Sequence, residues 1–90
     1  MRNNRQSKSV IQPIHLRLAR AALGWTLKDL ADRAEVHLNT ISRYEGGHEI
    51  WIRTMHKLEE VLLNEGVIFI DEDDNFEPSI RLRKPRSSRQ

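Results

Sequence analysis

Apolar residues in residues 13–23 recur with a helical period. Leu16, Ala19 and Leu23 share one face, and Arg20 sits on that same face. Pro13 suits a first helical turn, where its missing N–H is not needed, and Gly24 suits the stop. A charge at Arg20 on an apolar face needs a partner. A second helix follows at once. Thr26 and Asp29 make a capping-box pair, with Trp25 and Leu30 placed as a hydrophobic staple around it. Leu27, Leu30, Ala31 and Ala34 line its inner face, while Lys28, Asp29, Asp32 and Arg33 point to water.

After Glu35-Val36-His37 a third short helix runs to about Glu45 and closes at Gly46-Gly47, with His37 as its candidate cap. Leu38, Tyr44 and Glu45 fall near Ile41 on the core side. Asn39 and Arg43 fall at about 160° and 200° from Ile41, side by side on the opposite face, flanked by Thr40 and Ser42. Such a set suits hydrogen bonding to base edges and phosphates. Glu45, like Arg20, carries charge toward the interior. A fourth helix is predicted over Trp51–Glu65, its stripe formed by Trp51, Met55, Leu58 and Leu62, with Gly66 as its stop. Val67–Asp71 and Ser79–Arg83 read as two strands around a turn, making a hairpin.

Composition narrows the class. Ninety residues support one small core, burying about 60–65% of the unfolded surface. The chain has no cysteine, which removes disulfides and thiolate–zinc sites, and its longest apolar run is Val67-Ile68-Phe69-Ile70. A soluble, cytoplasmic protein is expected. The net charge of +2 conceals segregation: residues 1–20 carry +5, residues 61–80 carry −6, and the last ten residues carry +5. Two basic ends point to a polyanion, most simply nucleic acid. The organisation expected is a basic flexible arm (1–12), a helical domain (13–66), a hairpin suited to dimerisation (67–83) and a basic tail (84–90).

Two short helices, a tight turn and a third helix with a polar outer face form the helix-turn-helix pattern. From about Leu16 to Gly66 the chain resembles the Cro/CI-type (XRE) family. The matching residues are Gly24-Trp25-Thr26, Leu30-Ala31, Val36, Thr40-Ile41-Ser42, Glu45 and Gly47. The resemblance implies a mainly α, lambda-repressor-like four-helix domain, here followed by a C-terminal β-hairpin. It also implies a structural ion pair between Arg20 and Glu45. Three positions depart from the family's usual pattern. Glu35 stands where glycine is common, so a less usual turn or some strain is expected there. His37 replaces the usual Ser or Thr cap, and Leu27 stands where a phosphate-touching glutamine is frequent.

The function expected is sequence-specific binding of double-stranded DNA by a homodimeric repressor at an inverted-repeat operator. The candidate DNA contacts are His37, Leu38, Asn39, Thr40, Ser42 and Arg43. Leu38 is divided between the core edge and a thymine methyl. The candidate phosphate contacts are Arg2, Arg5, Lys8, Lys28 and Arg53. The alternative is an antitoxin-type module that neutralises a partner protein and autoregulates its operon. Catalysis has no motif to support it, and no cofactor is expected. The four histidines lack metal-ligand spacing. Asp71-Glu72-Asp73-Asp74-Asn75 fails as a calcium loop, because Phe76 and Leu82 occupy the required glycine and glutamate positions.

Overall fold

The first helix begins at Pro13, as the sequence places it. The computed structural model describes residues 11–85. Helices α1 (Pro13–Leu23), α2 (Leu27–Ala34), α3 (Leu38–Glu45) and α4 (Ile52–Asn64) are followed by strands β1 (Val67–Ile70) and β2 (Ser79–Leu82). The observed fourth helix and both strands end a residue inside the expected limits. At α2 the capping box is complete: the Asp29 amide donates to Thr26 Oγ1 at 3.0 Å, and the Thr26 amide donates to Asp29 Oδ2 at 2.9 Å.

One core unites all six elements. Leu16 and Ala19 of α1, Leu30, Ala31 and Ala34 of α2, Ile41 and Tyr44 of α3, and Met55, Leu58 and Leu62 of α4 are buried together. Val67 of β1 joins them, fully buried. The strands pair antiparallel with Val67 opposite Leu82 and Ile70 opposite Ser79. Alternation therefore sends Val67 and Phe69 inward, with Ile80 packed beside them, and leaves Ile68 and Ile70 outward and exposed. Gly66 makes the join from α4 possible. Its φ is +94°, and an added Cβ would lie 3.2 Å from Arg83 Cβ. The Arg83 amide closes the foot of the hairpin on the Gly66 carbonyl at 2.8 Å.

Two expectations are corrected. Trp51 does not head the buried stripe of α4. It is the residue preceding the helix, with extended backbone (φ −64°, ψ 142°), and is 78% exposed. The helical row cannot run through a non-helical residue, so Ile50 packs against the core beside α4 instead. The packed part of the chain also begins before Pro13, inside the stretch expected to be a flexible arm. Ile11 is fully buried, and its carbonyl accepts the Tyr44 hydroxyl at 2.6 Å.

His15, which sequence reasoning set aside as a metal ligand and gave no other role, is a core residue, fully buried. Its Nδ1 accepts the Gln12 amide at 2.9 Å, which makes Nε2 the protonated nitrogen, donating to the Ile70 carbonyl at 3.0 Å. Its ring also meets Phe69 edge-on, with centroids 5.4 Å apart. A histidine thus fastens α1 to β1. No helix among the described residues is long and apolar enough to cross a membrane.

Candidate nucleic-acid interface

The turn between α2 and α3 sets the angle at which α3 is presented. Glu35 closes α2 with φ 56° and ψ 47°, the left-handed conformation that glycine takes without strain. Its amide and that of Val36 turn back to the Asp32 and Ala31 carbonyls, and Val36 packs against the core. His37 then caps α3, Nδ1 accepting the Asn39 amide at 3.1 Å. The imidazole therefore does the work usually done by a hydroxyl. The strain expected at Glu35 is present, in the geometry of the residue it replaces.

Inward-facing Ile41 and Tyr44 seat α3 on the core. Its far end is held by charge. Arg20 grips the Glu45 carboxylate with two parallel hydrogen bonds, Nε to Oε2 and Nη2 to Oε1, each 2.8 Å long. A third donor, Nη1, reaches the Trp25 carbonyl at 3.2 Å. The Glu45 hydrogen bonds hold the Arg20 guanidinium above its ordinary pKa despite partial burial. Arg17 adds a bond to the Glu45 carbonyl at 2.7 Å, an anchor that sequence reasoning overlooked because Arg17 lies off the apolar stripe. The phenol of Tyr44 is pushed up by burial.

Held in this way, α3 turns Leu38, Asn39, Ser42 and Arg43 to solvent, with Thr40 half-buried at the edge. Leu38, expected on the core side, is instead 37% exposed and is not among the hydrophobic residues packed on the core. No intrachain hydrogen bond occupies the side chains of Asn39, Ser42 or Arg43 among the described residues. Lys28, on the first turn of α2, is exposed and pairs with Asp32 at 2.8 Å, which raises its pKa. A pair so open to water contributes little. Arg53 is exposed on the first turn of α4. Arg2, Arg5 and Lys8 lie outside the described residues.

Sequence reasoning missed one feature of this side. Trp51, assigned to the core, lines a groove of about 380 Å³ with Thr40, Arg43, Glu49 and Ile50. No periodicity could have revealed this, because the residue before a helix does not obey the helix's period.

A short helix held at one end by a cap and at the other by an ion pair thus presents an unengaged polar face on a small helical scaffold. Residues 16–62 match the helix-turn-helix family model, more than half of the chain. The chain belongs to that family, in its Cro/CI-type form, and is a DNA-binding transcriptional regulator. No curated protein and no solved structure matches the chain.

Proposed function

We propose that the chain is a sequence-specific repressor that binds an inverted-repeat operator as a homodimer, reading bases through α3. The observation that carries this reading is the outer face of α3, where Asn39 and Arg43 stand one turn apart with their donors and acceptors unengaged. Asn pairs in two-pronged fashion with adenine and Arg with guanine. Ser42, Thr40 and the cap His37 border them, and Leu38 can meet a thymine methyl. Lys28 and Arg53 flank α3 at the starts of α2 and α4 and suit phosphate, as do Arg2, Arg5 and Lys8 by their charge. Occupying a promoter needs no further surface, and this favours repression.

The hairpin supports the dimer. Ile68 and Ile70 point outward at 38% and 37% exposure, and Phe76 at the loop is 73% exposed. A two-fold contact between hairpins covers these side chains. Val67 belongs to the monomer's core, so deleting the hairpin would open that core. The double substitution Ile68→Asp with Ile70→Asp tests pairing without that damage, and it should sediment as a monomer.

The deciding experiment selects bound duplexes from a random pool. An inverted repeat with half-sites about one turn (~34 Å) apart is expected. Arg43→Ala should then weaken binding by about 1–3 kcal/mol and relax preference at one symmetric position. If folded Asn39→Ala and Arg43→Ala proteins both keep parental affinity and preference, α3 is not the reader.

A further inference from the structure

The chain has two tryptophans, and the fold uses only one. Trp25 is half-buried, packs against the core and carries the Arg33 guanidinium 4.3 Å above its ring. Trp51 is 78% exposed, and its indole N–H has no partner among the described residues. A buried aromatic ring removes roughly 150–250 Å² from water, so one held out in solvent forgoes a large stabilisation. Nor is it a loose side chain at a frayed end. It stands between Ile50, packed on the core, and the first turn of α4.

The position of Trp51 identifies what covers it. Its groove is walled by Thr40 and Arg43 of α3 and is continuous with the reading face. We propose that Trp51 is a DNA contact, its ring seated on a deoxyribose of the strand bordering the major groove and its N–H donating to the neighbouring phosphate. The proposal rests on the DNA-reading role of α3. The chemistry matches on three counts: a flat apolar face suits the sugar, a single donor suits a phosphate oxygen, and Arg43 in the groove supplies positive charge, with Arg53 exposed on the first turn of α4. Glu49 is the one acid lining the groove. It disfavours phosphate inside the groove, leaving the outward face of Trp51 as the contact. Such a contact carries affinity and orientation without reading sequence.

The test uses the full chain, the selected duplex and a scrambled duplex of equal composition, each end-labelled for anisotropy. Trp51→Ala should weaken binding to both duplexes about five- to tenfold, leaving the preference between them unchanged. Its salt dependence should match the parent, because no charge is lost, whereas loss of a phosphate-holding arginine lowers the slope by about one. Trp51→Phe should recover most of the affinity. In a Trp25→Phe background the lone Trp51 emission should be quenched on adding duplex. Affinity of Trp51→Ala within twofold of the parent overturns the proposal, as does conversion of a parental dimer to monomer, which would assign the ring to a second copy. Binding lost in Arg43→Ala but kept in Trp51→Ala defeats this inference alone. A parent that binds no duplex defeats both readings.

Discussion

The Arg20–Glu45 pair offers the sharpest test of how α3 is held. Two hydrogen bonds of 2.8 Å join planar groups, with side-chain exposures of 20% for Arg20 and 9% for Glu45. Stranding one member of a fully buried pair costs about 3–5 kcal/mol. Here water reaches Arg20 in part, and so would reach a stranded Glu45 once the guanidinium is gone. Arg20→Ala is therefore expected to lose about 2–3 kcal/mol, with the lost bond to the Trp25 carbonyl included. In a domain of this size that loss lowers Tm by on the order of 10–20 °C. Urea denaturation suits the measurement, since guanidinium would screen the pair. A double variant, Arg20→Met with Glu45→Met, removes both charges and keeps apolar volume. It should be more stable than the sum of its single variants implies, by about 1–2 kcal/mol of coupling. Single variants within about 0.5 kcal/mol of the parent, or strict additivity, would refute the claim that this pair anchors α3.

The turn and the cap make two further predictions. Glu35→Gly should stabilise the chain by about 0.5–1 kcal/mol, the relief of a left-handed side chain less the added freedom of the unfolded state, read as a higher urea midpoint; a lower midpoint would show that the Glu35 side chain is needed. The backbone hydrogen bond from Thr26 holds the Asp29 carboxyl below its ordinary pKa. Its contribution is complete above the unfolded carboxyl pKa of about 4 and is lost as pH falls through the lower folded value. Asp29→Asn should accordingly flatten the acid limb of the stability–pH curve, and an unchanged limb would remove Asp29 from the cap.

Much of this molecule is legible along the chain because its signals are local. The capping box at Thr26 and Asp29, the stop at Gly24 and the apolar rows of α1 to α3 depend on neighbours within a turn or two. Even the ion pair announces itself, since two charges on apolar faces require each other; the family resemblance then matches Arg20 to Glu45. The outer face of α3 follows from helical period alone once its inner face is fixed by Ile41 and Tyr44. Other features depend on contacts between residues distant in sequence. His15 is a core residue because Ile70, fifty-five positions away, offers its carbonyl and Phe69 its ring. Ile11 is buried because it packs in the core shared by all four helices, with the Tyr44 hydroxyl holding its carbonyl from thirty-three positions away. Trp51 lies outside the core because the chain turns into α4 one residue after it, so the helical row that would have buried its ring starts too late. Period and propensity act over a few residues, whereas the burial of a side chain at an element's end is decided by what the rest of the chain packs against it.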